Sequence, residues 1–225
     1  MKIALLGAES TGKTQLAAEL AAHLRQQGRV VAVVDEVLRE WCCHAGRTPR
    51  PEEQLPIAQE QERRVDQAAR SAEVVIADTT ALMVAIYSAM LFQDGSLYRF
   101  ALERLHHYDR ILLTGLDLDW VPDGLQRDGP HVREPVDALI RAALARAGVS
   151  YQVVYGHGPE RLSAALRAIG AGGLARAGEP PHGEAPSGGN APDASEPPPG
   201  EGTSGWRCDK CSDPVCEHRL FTRLL

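Results

Sequence analysis

From residue 2 to about residue 169, short continuous apolar runs alternate with longer stretches in which apolar residues recur every three or four positions. Runs such as Ile3-Ala4-Leu5-Leu6 and Val74-Val75-Ile76-Ala77 fit strands covered on both faces, and the intervening spacing fits the helices that cover them. The runs predict strands at 2–6, 30–34, 74–77, 110–113 and 151–155. The first helix carries Leu16, Leu20 and Leu24 with Ala17 and Ala21 on one stripe, and Gly28 is its stop. Further helices are expected at 36–44, 52–71, 97–106, 134–147 and 159–169, with Gly148 closing the fourth of these. Pro49-Arg50-Pro51 breaks the chain before the second, in which Pro56 is tolerable only near the first turn. Residues 80–92 contain the strand-forming Val84, Ile86 and Tyr87, but so long an apolar stretch favours a core helix. The alternation predicts an α/β fold: a five-stranded parallel sheet with helices on both faces.

Composition divides the 225 residues into three parts. Residues 1–170 are long enough for one packed α/β domain. Residues 171–205 shift to Gly, Pro, Ser, Ala and Glu and cannot bury enough surface to offset ordering entropy, so a disordered linker is expected. Residues 206–225 form a short Cys/His-rich tail. A net charge of −6 offers no basic footprint for nucleic acid or an anionic membrane. No run approaches the ~18 apolar residues of a membrane span, and a core strand at residue 2 leaves no room for a signal peptide. Five cysteines, an odd count, suit a reducing compartment, so a cytoplasmic protein is expected.

Chemistry enters between the first strand and the first helix, at Gly7-Ala8-Glu9-Ser10-Thr11-Gly12-Lys13-Thr14, which fits G-x-x-x-x-G-K-[S/T]. The two glycines allow a tight curl whose N–H groups point inward, and the helix adds its positive end to the same spot. Lys13 can reach the β- and γ-phosphates, and the Thr14 hydroxyl can ligate magnesium. The chain is read as a nucleoside-triphosphate-binding protein.

In open parallel sheets ligands bind beyond the carboxyl ends of the strands, and three such ends carry acids: Asp35-Glu36, Asp78-Thr79-Thr80, and Asp117 with Asp119. Asp78 is the candidate carboxylate for Mg²⁺ opposite Thr14; its other reading is a turn or helix cap. Glu36 is the candidate base or ligand for an acceptor hydroxyl, with Asp35 beside it; the alternative is an ion pair with Arg39. Arg39 in turn suits a clamp on substrate phosphate or carboxylate, or a solvated face. The irregular stretch 120–133 reads as a lid whose Arg127 and Arg133 neutralise transferring phosphate, or as a loop with plain surface charge. Trp120 either stacks on a flat heteroaromatic ring or packs. Core packing explains Cys42-Cys43, and a helix end explains His106-His107.

GAESTGKT, E-x-x-R-E after the second strand, the Pro-bounded helix with Gln59 and Arg63, I-A-D-T-T and W-V-x-D-G-L-x-R together resemble the nicotinamide riboside kinase domain of bacterial NadR-type proteins, over residues 1 to about 170. The resemblance implies a P-loop kinase fold with strand order 2-3-1-4-5, and phosphorylation of nicotinamide riboside by ATP and Mg²⁺. It implies Lys13 and Thr14 on the nucleotide, Asp78 at the catalytic edge, Trp120 near the pyridine, and Arg127 and Arg133 in the lid. Thr80 stands where many relatives place a second acid. The helix-turn-helix and the H-x-G-H adenylyltransferase motif of NadR-type proteins have no counterpart, since Gly156-His157-Gly158 lacks the paired histidines.

Cys208, Cys211, Cys216 and His218 are spaced C-x2-C-x4-C-x-H, four ligands that suit tetrahedral Zn²⁺. The other reading is reduced cysteines on a tail whose Leu220, Phe221, Leu224 and Leu225 dock on a protein partner or on the kinase body. Two function classes remain: a kinase for a small nucleoside-like acceptor, and a regulatory ATPase or nucleotide-dependent interaction module with a metal-binding tail.

Overall fold

The computed structural model of the chain describes residues 1–121 and 130–170. Arg127, the linker at 171–205 and the Cys208, Cys211, Cys216 and His218 cluster lie outside the described residues.

Five strands, β1 (Lys2–Leu6), β2 (Val31–Val34), β3 (Val74–Asp78), β4 (Arg110–Thr114) and β5 (Gln152–Val154), form one parallel sheet in the order β2-β3-β1-β4-β5, as expected. β1 is central because its side chains on both faces are apolar: Ile3, Ala4, Leu5 and Leu6 are all fully buried. Val30, expected to open β2, instead lies outside it and is exposed.

Among the described residues seven α-helices lie between and after the strands: α1 (Lys13–Gln26), α2 (Val37–Ala45), α3 (Pro51–Ala68), α4 (Ala81–Phe92), α5 (Leu97–Leu105), α6 (Arg133–Ala147), which follows a 3-10 turn at Pro130–Val132, and α7 (Gly158–Ala168). One core cluster joins Leu16, Leu20 and Leu24 of α1 and Ala165 and Ala168 of α7 to Ile3, Leu5, Ile76 and Leu112 of the sheet. Strand alternation turns Ala4, Leu6, Ala77 and Leu113, also buried, to the opposite face. There α4, apolar all round, forms a core helix packed against α3, α5 and α6. Residues 81–92 of that stretch are therefore a helix despite its strand-forming residues, with Thr80 as its N-cap.

α3 starts at Pro51, and Pro56 lies inside it. The missing Pro56 N–H would have bonded the carbonyl of Glu52, an exposed residue, so water can serve that group. No described helix is long and apolar enough to cross a membrane.

Candidate functional site

The carboxyl ends of β1, β3 and β4 lie side by side, and the segments leaving them meet around residues 7–14. Gly7 sits at φ 154°, and a Cβ there would fall 1.9 Å from Thr114 Oγ1. Only glycine lets the loop pass β4 this closely. The space is used by a hydroxyl pair: Thr11 Oγ1 lies 2.7 Å from Thr114 Oγ1 and donates to the Ala8 carbonyl at 2.8 Å. Ser10 at φ 56° and Gly12 at φ 70° give the loop its curl, and Gly12 is the N-cap of α1 without a capping side chain. The first amides of α1 have no partner within their own helix. The loop's outer side is fastened to the segment after β4, where the Val121 N–H donates to Ser10 Oγ at 2.7 Å. This is a cradle of main-chain donors at a positive helix end, suited to polyphosphate.

Lys13, 9% exposed, donates to the carbonyls of Gly7 (3.0 Å) and Ala8 (2.8 Å). Burial pushes its pKa below the ordinary lysine value; Glu36 and Asp78 pull it back up, while Arg39 opposes them. A buried ammonium among these groups is matched to an anion arriving in the cradle.

The second half of the site is a chain of side chains from three elements. Thr14 Oγ1, on α1, donates to Asp78 Oδ2 at the end of β3 at 2.5 Å. Arg39 on α2 donates to the same Thr14 oxygen at 3.1 Å and pairs with Glu36 at 2.7 Å. Glu36 and Arg39 are thus ion-paired, and the bond to Thr14 sets the pair against the start of α1 rather than on a remote surface. Asp78 is 1% exposed, and its Oδ1 is buried with no hydrogen-bond partner among the described residues. An orphaned carboxylate oxygen beside a threonine hydroxyl is a hard-oxygen donor set that fits Mg²⁺.

The turn that presents Asp78 is constrained on both sides. Thr79 stands at φ 73°, a left-handed conformation that costs a β-branched residue roughly 1–3 kcal/mol. Its N–H bonds the Leu5 carbonyl (3.1 Å), Thr80 Oγ1 caps α4 by accepting from Leu82 N–H (3.1 Å), and the Ala81 N–H donates to Glu62 Oε1 (2.9 Å). Buried Glu62 also accepts from Tyr108 and pairs with Arg104 at 3.2 Å. Helix spacing alone marks Glu62 as one polar residue among many on α3, and no local signal distinguishes it.

The other candidates are placed differently. Asp35 is exposed, and its main-chain carbonyl receives a long bond from Gln61 (3.4 Å). Trp120 is half-buried with its indole nitrogen enclosed and without a partner among the described residues. Arg133, expected on an irregular loop, is instead the first residue of α6; it is 8% exposed and donates to the Leu116 carbonyl at 3.2 Å. Val132 and Val136, both buried, draw that stretch into the body and take Arg133 with it. Of the Cys42-Cys43 pair, only Cys42 is packed inside; Cys43 is exposed because adjacent helical residues point apart. Arg161 on α7, not anticipated, is buried against the loop. Its only sequence signal was a charge next to an apolar stripe.

Comparison with solved structures finds the same fold in NadR. A NadR structure in complex with NAD and AMP-PNP matches with TM-score 0.61 and 17% identity, covering 79% of this chain and 51% of that one. A NadR structure in complex with NR matches with TM-score 0.63 and 16% identity, covering 80% and 52%. The chain therefore spans about half the length of these NadR chains. Deoxyadenosine kinase from M. mycoides, with dCMP and dCDP bound, matches with TM-score 0.51 and 15% identity, covering 76% of this chain and all of that one. No curated protein matches the chain. Residues 2–161 match the AAA_28 family, described as an AAA domain, and with most of the chain inside that match the protein belongs to this family of P-loop nucleotide-binding proteins.

Proposed function

We propose that the protein is an ATP-dependent kinase that transfers the γ-phosphoryl group to a small nucleoside-like acceptor, with nicotinamide riboside the first to test. The observation that carries this reading is the convergence of Lys13, Thr14, Asp78, Arg39 and Glu36 at the carboxyl edge of the sheet. A nucleotide hydrolase needs the first three; an ion-paired Glu36–Arg39 couple turned to the same point adds what a phosphoryl acceptor needs. The likeness to NadR structures holding NR and to a deoxyadenosine kinase supports the same substrate class.

The cradle 7–14 holds the polyphosphate through Gly7, Ala8, Glu9, Ser10, Thr11 and Gly12, and Lys13 supplies positive charge to the transferring group. Thr14 and Asp78 would hold Mg²⁺, which when bound would neutralise phosphate charge. Glu36, oriented by Arg39, accepts the proton of the acceptor hydroxyl; Asp35 and Trp120 flank the acceptor. Arg133, together with Arg127, meets charge that develops on the transferred group.

The test is product analysis. Purified protein with ATP, Mg²⁺ and a nucleoside panel led by nicotinamide riboside is expected to give a phosphorylated acceptor with matching ADP. ADP release without any phosphorylated acceptor would leave a nucleotide hydrolase and overturn the kinase reading.

A further inference from the structure

Arg161 reaches the phosphate loop from the far end of the chain. It lies in the first turns of α7, is 4% exposed, and its Nη2 donates to the Thr11 carbonyl at 2.5 Å. Nη1 donates to the Gly156 carbonyl at 3.1 Å and stands 3.7 Å from Asp117 Oδ1, while the other oxygen of Asp117 accepts the Gly156 N–H at 2.6 Å. One guanidinium therefore ties the phosphate loop to the segments after both β4 and β5.

Packing does not account for an arginine here. α7 is already seated on α1 and the sheet through Ala165, Ala168 and Ile169. The Arg161 Nε is buried with no hydrogen-bond partner among the described residues, so the residue costs desolvation that an apolar side chain of similar size would avoid. Burial pushes its pKa down, and Asp117 pulls it back.

The contact falls on one particular peptide group. The Thr11–Gly12 bond is trans, so its carbonyl and its N–H point in opposite directions. A cation fixed on the Thr11 carbonyl holds the Gly12 N–H turned the other way, and a charge-assisted bond to the oxygen makes that N–H a stronger donor. Gly12 lies between Ser10, at φ 56°, and Lys13, inside the curl that forms the cradle. At φ 70° and without a Cβ, Gly12 leaves the peptide before it freer to turn than another residue would, while its own carbonyl accepts from the Leu16 N–H at 3.0 Å.

We infer that Arg161 is a positioning residue for polyphosphate: clamped by Asp117 and the Gly156 carbonyl, it orients and polarises the Gly12 N–H as a donor to the nucleotide. The inference rests on the reading that nucleotide occupies the loop.

Calorimetric titration of the full chain with ATP, ADP and AMP tests it, alongside amide spectra of ¹⁵N-glycine-labelled protein. In the wild type, ADP is expected to move the Gly12 amide proton strongly and that of Gly28, at the other end of α1, little. Arg161→Met is expected to weaken ATP and ADP about tenfold, affect AMP much less, and abolish the Gly12 shift, with KM for ATP rising more than kcat falls. Arg161→Lys, a point charge without the fork, is expected to fall between. Should Arg161→Met not fold, Asp117→Asn is used, with a smaller loss in the same order of ligands. If the wild type binds no ATP, the nucleotide reading itself fails. If the wild type binds and the folded variant binds ATP within twofold, or loses ATP, ADP and AMP alike, the role of Arg161 is overturned while the nucleotide reading stands.

Discussion

Lys13 combines a cationic task with a buried place, and its titration exposes the conflict. Burial sets its folded pKa below the 10.5 of a free lysine, so the unfolded chain binds more protons between the two values and stability rises with pH across that window. Phosphate favours the charged form, so ATP affinity should fall as pH climbs through the lowered pKa. Titration calorimetry from neutral to alkaline pH is expected to show this decline in the wild type. Lys13→Met should bind ATP more weakly at neutral pH and show a flatter profile; a folded variant with parental affinity would remove the loop from the mechanism. In the proposed mechanism Asp78 distinguishes binding from turnover. Asp78→Asn keeps an acceptor for the Thr14 hydroxyl but loses the carboxylate that suits a divalent cation. Turnover is expected to drop about 10²–10³-fold. ATP affinity without magnesium should stay near the parent, and the gain in affinity on adding magnesium should shrink.

Elements matter here through the turns between them. The β3–α4 turn carries Asp78, includes a threonine at φ 73°, and is held by Glu62 through the Ala81 N–H. Strain beside the buried Asp78 persists only when the surroundings over-determine it, and α3 supplies that support. Glu62→Ala strands Tyr108 and the Ala81 N–H and leaves Arg104 with Asp66 alone. A loss of about 3 kcal/mol is expected in urea unfolding. Glu62→Gln, which keeps the acceptor, should recover a good part of it. Because the turn is released as well, phosphoryl transfer should fall further than nucleotide affinity, measured where the variant is still folded. α3 braces the start of α2 in a comparable way, since the Val37 N–H donates to the buried Gln61 of α3 at 2.9 Å.

The whole molecule places the phosphate loop at the centre of the sheet, where β3 and β4 flank it and α7 closes one side. Ligand binding should therefore stabilise the global fold. At a free concentration of 100 times Kd, ATP with magnesium is expected to add about 2.7 kcal/mol, read as a rise in melting temperature that chelator reduces. Much of this architecture was legible in the chain. Continuous runs such as Ile3–Leu6 are written locally, because a strand covered on both faces must be apolar at every position. The phosphate loop was legible for the same reason: its glycines, lysine and threonine act within a single turn of backbone, so their spacing is their geometry. Glu36 and Asp78 could be nominated from their places at strand ends, and the i,i+3 pair of Glu36 with Arg39 from spacing alone; the direct bonds of Arg39 and Asp78 to the Thr14 hydroxyl could not, because they need α2 and the end of β3 brought against α1. Glu62 and Arg161 were beyond local reading, and Arg133 was nominated for a loop rather than for the buried first turn of α6 where it lies. Each acts on backbone from another element, Arg161 across 150 residues, and nothing in a helix pattern distinguishes a charge that will face solvent from one folded onto a distant carbonyl. Sequence alone determined the sheet, its covering helices and the polyphosphate cradle, since these follow from burial and backbone geometry over a few residues. The tertiary structure decided which buried charges brace that cradle, because the cost of burying a charge is met only by partners that the fold brings together.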